Sequence, residues 1–308
     1  MKTPIVLLLF NRPEHTAQVF ARIRELAPER LFVIADGPRE DRPGEAELCA
    51  QARASVMDAI DWSCEVSTDF SDTNMGCARR VSSGLNWVFG QVEEAIILED
   101  DCLVDASFFP YAERLLEEYR EDEGIMSISA ARLAAFTPDE PDLPYSRSAY
   151  FHSWGWATWR RAWEHYQHSL YGWRQRFSPS EIRDLLGTPE QARYWSYIYD
   201  RTHRRDNSWA FRFQLACWEQ NAFTLVPRVN MSHNIGFDET ATHTLPDVPN
   251  PCETAEAFAL PQLLPADTPR NFSYERKIAS TLQLMPLIKR ARLKFTQVAT
   301  GILRSFLA

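Results

Sequence analysis

The sequence predicts an α/β fold, a mostly parallel sheet flanked by helices. Three observations carry this. Short apolar runs alternate with helical patterns through the first 130 residues, and the runs are apolar on both faces, as buried parallel strands require. The chain also has 308 residues, 45% of them hydrophobic, enough for one large core or two ordinary domains. In order, strands are expected at Ile5–Phe10, Leu31–Ala35, Cys64–Thr68 and Ala95–Leu98, with a fifth at Ile125–Ile128. A helix follows Arg12-Pro13-Glu14, where proline suits the first turn, and another runs from Gly76 to Phe89.

Beyond residue 130 the character changes. Residues 137–147 hold three prolines and read as a loop. Eight of the ten tryptophans then lie between Trp154 and Trp218, a density that suits a heavy core better than a platform for sugar rings. Thr244 to Pro269 contains six prolines and reads as a linker. The expected organisation is therefore a compact unit over 1–245, split into a nucleotide-binding half (1–130) and a Trp-rich acceptor half (131–245). A Pro-rich linker (246–275) and a basic amphipathic tail (276–308) follow. That tail carries seven Lys or Arg and no acid, with Leu284, Ile288, Ala291, Phe295, Val298, Ile302 and Phe306 at helical spacing. It is either a helix docked on its own domain or one lying on an anionic membrane through 284–308.

The net charge of −9 argues against broad binding to nucleic acid. The six cysteines form no C-x-x-C pair, so they read as reduced core residues rather than a zinc site. The apolar opening stops at Asn11-Arg12 without a cleavage site and reads as a strand, and no run of 18 apolar residues occurs. The expectation is a cytoplasmic protein, peripheral at the inner membrane face if the tail binds lipid.

The sharpest local feature is Ile96-Ile97-Leu98-Glu99-Asp100-Asp101, a strand running into three carboxylates. Ligands of open α/β sheets sit beyond the carboxyl ends of strands. Strand alternation sends Glu99 and Asp101 to one side and Asp100 to the other. Three adjacent carboxylates repel one another unless neutralised, and Mg²⁺ or Mn²⁺ favours oxygen ligands, so a metal-bound phosphate fits. The bland alternative is a solvated acidic turn. Two neighbouring strands weigh against it: one ends in Asp36-Gly37, the other in Asn11-Arg12, and Arg79-Arg80 could complete a phosphate pocket. No P-loop, G-x-G-x-x-G or G-x-S-x-G motif is present.

These residues resemble the glycosyltransferases of the GT-A (Rossmann-like) nucleotide-diphospho-sugar transferase fold. Glu99-Asp100-Asp101 is similar to the Glu-Asp-Asp variant of the DxD motif in the N-acetylglucosaminyltransferase I type. Phe10-Asn11-Arg12, Ala35-Asp36-Gly37, Asn74 through Arg80, Leu98 through Phe109 and Ser153-Trp154-Gly155-Trp156 follow in the family's order. The resemblance covers about residues 3–245. It implies a UDP-sugar donor, a glycan or other hydroxyl acceptor, and Mn²⁺ or Mg²⁺. Asp36 would contact uracil, Arg12 and Arg80 the nucleotide pocket, and Asp100 the ribose. Asp101 and His243 would hold the metal, and Glu99 would face the donor sugar. Trp154 and Trp156 would wall the acceptor, with Trp209 in the core. Two positions depart from the pattern: Arg80 stands where the family can have histidine, and Ala210 where it has an acid. The general base then falls to Asp206, with Glu219 and Asp238 as alternatives. A sugar-nucleotide pyrophosphorylase and a non-catalytic membrane-associated binding module are the other readings.

Overall fold

The computed structural model describes residues 1–206, 208–237, 250–265 and 267–281. Its centre is an eight-stranded sheet in the order β3-β2-β1-β4-β8-β6-β9-β7. The first four strands are β1 (Ile5–Leu9), β2 (Arg30–Ala35), β3 (Glu65–Phe70) and β4 (Glu94–Glu99), mutually parallel. β5 (Cys102–Val104) leaves the sheet, β6 (Ile125–Ser129) rejoins it, and β7 (Tyr145–Ser148) forms the far edge. β8 (Trp156–Trp159) is antiparallel to both β4 and β6, while β9 (Phe223–Pro227) is parallel to β6. β10 (Ser232–Asn234) pairs antiparallel with β5 outside the main sheet.

Strand alternation divides the core into two layers. Ile5, Leu7 and Leu9 of β1 face α1 (Pro13–Leu26), α2 (Glu45–Met57) and α4 (Phe108–Glu118). Val6 and Leu8 face α3 (Cys77–Phe89), α5 (Arg160–Trp163) and α9 (Ala210–Glu219). Being covered on both sides, β1 is wholly buried. A third cluster gathers α6 (Trp173–Arg176), α7 (Pro179–Leu186) and α8 (Pro189–Arg205) around Trp195, Tyr199 and Trp218.

Several expectations need correction. The Cys64–Thr68 run becomes an edge strand, β3, with no residue buried. The end of the 137–147 loop is β7. Of the eight tryptophans between Trp154 and Trp218, all but Trp154 are buried, as a core requires. Trp156 is therefore not an acceptor wall. It is fully buried on β8, beneath a cluster with Phe151, Trp163, Trp209 and Phe213, whereas Trp209 is core as expected.

Residues 250–265 run along the domain, with Cys252 buried and Phe258 N–H donating to Ser107 Oγ at 2.8 Å. Helical turns over 272–281 dock on it. Tyr274 and Ile278 are buried, the Tyr274 hydroxyl meets His152 Nε2 at 2.8 Å, and Glu275 accepts from Ala149 N–H at 2.7 Å. The compact unit thus continues well past 245. The apolar stripe of the tail from Leu284 onward lies outside the described residues. Among the described residues no helix is long and apolar enough to cross a membrane. The six cysteines form no disulfide.

One glycine fixes how β8 enters the sheet. Gly155 has φ +74°, and a Cβ there would lie 2.6 Å from Val104 Cγ1. Gly155→Ala combines a left-handed backbone with overpacking and is expected to cost roughly 2–4 kcal/mol, read as a lower urea midpoint at unchanged slope.

Candidate functional site

Register brings the site together. Leu9 of β1 lies beside Ala35 of β2, and Leu8 beside Glu99 of β4, so the carboxyl ends of three parallel strands reach one edge. That edge collects Phe10–Arg12, Asp36 and Glu99–Asp101. Asp100 Oδ2 accepts from Phe10 N–H at 3.0 Å, and Arg12 Nη1 reaches Asp101 Oδ2 at 3.2 Å. The Cys102 thiol approaches Asp101 Oδ1 at 3.4 Å.

The segment after β10 closes over this cluster. Ile235 N–H donates to the Asp101 carbonyl at 2.9 Å, and its own carbonyl meets His15 Nε2 at 3.1 Å. Gly236 then passes so near that an added methyl group would overlap the Asp101 carboxylate and the Arg12 guanidinium. Phe237 follows, its half-buried ring edge-on to Trp154 at 5.8 Å and 85°. Gly236 and Phe237 were not identified from sequence; nothing in His233-Asn234-Ile235-Gly236-Phe237 marks it as a neighbour of Asp101, 135 positions away.

The three carboxylates are half-buried and hold too much negative charge for their surroundings. Burial first, then Asp101 and Asp100, pushes Glu99 well above the usual carboxylate range, with Arg12 opposing. The Glu99 carboxylate has no hydrogen bond or ion pair among the described residues. Burial and Asp101 likewise raise Asp100 from 3.8 to about 7. The nearby Cys77 thiol is raised by burial and by the same three acids, which places the first turn of α3 against them. A group whose folded pKa is raised contributes stability that is full below its unfolded pKa and lost as pH rises through the folded one. In the presence of a chelator the contribution of Asp100 is therefore expected to be lost between about pH 4 and pH 7, so the melting temperature of Asp100→Asn should rise relative to wild type across that range.

Other expected site residues are engaged within the chain. Asp36 is buried and its carboxylate accepts four bonds, from Gly37 N–H, Met75 N–H, Gly76 N–H and Asn74 Nδ2, at 2.8–3.1 Å. It pins the 74–76 loop, and no lone pair remains for a base without rearrangement. Arg80 is buried and donates to the carbonyls of Ala35 and Asp69 while pairing with the Asp69 carboxylate at 2.6 Å. It ties the ends of β2 and β3 together rather than facing a pocket. Asp206 is held by Arg79 at 2.9 Å, Arg212 at 2.5 Å and His168 Nε2 at 3.0 Å. Burial works to raise its pKa, but these neighbours outweigh it and the carboxyl lies below its ordinary value. Glu219 is paired with Arg176 at 2.8 Å. His243 and Asp238 lie outside the described residues. Among the described residues no three carboxylate, imidazole or thiol groups converge on one point.

No family model matches the chain, and no curated protein does. Among solved structures it is similar to HddC from Yersinia pseudotuberculosis at 9% identity and a TM-score of 0.34, over 54% of this chain and 80% of that one. It is also similar to an apo UDP-glucose pyrophosphorylase at 10% identity and a TM-score of 0.37, over 75% and 93%. A cytidylyltransferase from Leptospira borgpetersenii matches at 10% identity and a TM-score of 0.33, over 66% and 74%. Likeness at this level bears on neither activity nor substrate.

Proposed function

We propose that this chain is a GT-A-type glycosyltransferase, moving a sugar from a nucleotide-diphosphate donor, UDP-linked, to a hydroxyl acceptor with a divalent cation. The observation that carries the reading is the shared edge at which β1, β2 and β4 deliver Arg12, Asp36 and the Glu99–Asp101 cluster. The 74–76 loop pinned by Asp36 would receive the base through its backbone. Asp100, with one oxygen already on Phe10 N–H, keeps the other for the ribose.

The carboxylate oxygens suit a hard cation, and among the described residues no donor meets the Glu99 carboxylate. Asp101 would hold Mn²⁺ or Mg²⁺, with His243 as a further candidate ligand; the ion would supply charge to stabilise the departing diphosphate. Proton transfer from the acceptor hydroxyl falls better to Glu99 than to Asp206. Glu99 has oxygens without a donor among the described residues and a raised pKa, whereas Arg79, Arg212 and the His168 ring hold Asp206 below its ordinary value and leave it weakly basic. Trp154 and Phe237 form the aromatic side on which an acceptor ring can lie.

The short connection from β1 to α1, residues 10–12, supports this reading over the pyrophosphorylase, which usually carries a glycine-rich loop after its first strand. Calorimetric titration with UDP tests it: Mn²⁺ should tighten binding at least about tenfold. Equal affinity in Mn²⁺ and in EDTA would count against it, and pyrophosphate release from UTP plus a sugar phosphate would select the alternative. The membrane role of 284–308 belongs to the same proposal; a chain ending at Thr281, which keeps the docked turns, should lose binding to anionic vesicles if it holds.

A further inference from the structure

We infer that the last turn of α8, beside the first turn of α3, is an anion-binding rim that takes a phosphate group carried by the acceptor. Most arginine side chains among the described residues are engaged, in ion pairs or on backbone carbonyls. Among the described residues four have neither a hydrogen bond nor an ion pair: Arg42, Arg201, Arg204 and Arg205. Three of the four fall within five residues, next to exposed His203. Cations complement the negative end of a helix. That effect accounts for one of them, not for three arginines whose mutual repulsion must also be borne.

The acid at this end of α8, Asp206, does not neutralise them. It occupies the left-handed cap at φ +49°, and its oxygens are taken by Arg79, Arg212 and His168. A chain of net charge −9 thus carries uncompensated positive charge at one spot. The spot adjoins the acidic edge. Arg79, which holds Asp206, is in the first turn of α3, three residues after Gly76, whose N–H donates to Asp36 at 3.0 Å. Tyr166, stacked on Trp163 at 4.4 Å, lies within electrostatic reach of both Cys77 and Asp206.

The dimensions and chemistry select the ligand. Arg201 to Arg205 rises only about 6 Å along the helix, which matches one phosphate or diphosphate and is too short to follow a nucleic-acid backbone. The guanidinium fork binds phosphate oxygens in pairs, and Tyr197, one turn earlier and 55% exposed, offers a ring to the organic part. The donor's own diphosphate belongs at the Glu99–Asp101 edge, so this second anion is assigned to the acceptor. Only that assignment rests on the transferase reading; the rim itself is tested by binding.

The full chain would be titrated with inorganic pyrophosphate in EDTA, as wild type, as Arg201→Gln/Arg204→Gln/Arg205→Gln, and as Arg22→Gln/Arg24→Gln/Arg183→Gln, which removes equal charge elsewhere. The α8 variant should bind at least about tenfold more weakly while the second variant matches wild type and both keep wild-type melting temperatures and UDP affinity. Cosedimentation with phosphatidylcholine vesicles, with and without phosphatidic acid, distinguishes the sources. A parallel loss on the acidic vesicles assigns a lipid-borne phosphate, and a loss confined to pyrophosphate assigns a soluble one. Undiminished pyrophosphate binding in the α8 variant, or equal loss in both variants, overturns the proposal whatever the UDP titration gives.

Discussion

On the proposed transferase reading, Asp101→Asn is expected to abolish metal-dependent UDP binding and to slow sugar transfer about a thousandfold, equivalent to about 4 kcal/mol of lost transition-state stabilisation. Asparagine keeps the shape of the residue, and the bond from Ile235 N–H to the 101 carbonyl is a backbone contact that the change leaves intact. The fold should therefore survive. Removing one of three charges also relieves the repulsion that raises Glu99 and Asp100, so the stability lost between about pH 4 and pH 7 should shrink in the same variant. An Asp101 charge that did not act on Glu99 and Asp100 would leave that pH slope unchanged. Asp206→Asn provides the contrast: as a carboxylate already engaged by Arg79, Arg212 and the His168 ring, it should alter transfer by less than about tenfold. Retained Mn²⁺ dependence in Asp101→Asn, with transfer lost in Asp206→Asn, would move the chemistry from the end of β4 to the end of α8.

What the sequence disclosed follows the division between local and distant causes. β1, β2 and β4 were legible because burial on both faces writes an uninterrupted apolar run into the chain, and the acids that follow mark where the strand leaves the core. β8 was not legible. Trp156–Trp159 becomes a strand through antiparallel pairing with β4 and β6, and its residues look like any others in a tryptophan-rich stretch. At the site, sequence could name carboxylates but not which oxygens stay free. Asp36 is saturated by a loop 38–40 residues away, Arg80 by carbonyls at two strand ends, and Asp101 is covered by Gly236. Each of those contacts exists only after the sheet has aligned its strands.

Two tryptophans two positions apart should fail in opposite ways. Trp156 is fully buried, edge-on to Phe151 at 4.9 Å and stacked on Trp209 at 5.4 Å, so Trp156→Ala opens a cavity beside β4 and is expected to cost about 3–5 kcal/mol. Against a typical total of about 5–15 kcal/mol, that loss leaves much of the protein unfolded on mild warming. The Trp156 indole N–H has no acceptor among the described residues, so Trp156→Phe, which removes that donor and keeps most of the volume, should retain the fold. Trp154 is only half-buried against Phe237 beside the carboxylates, and Trp154→Ala should change stability by about 1 kcal/mol or less. If the proposed transferase reading holds, its effect falls on the acceptor, whose KM should rise about tenfold with UDP affinity unchanged, because a ring stacked on the acceptor would contribute to binding without touching the donor. Denaturant midpoints and acceptor kinetics on the same preparations separate the two cases. A Trp156→Ala protein with wild-type stability and a raised acceptor KM would put that side chain at the surface and undo the placement of β8 inside the sheet.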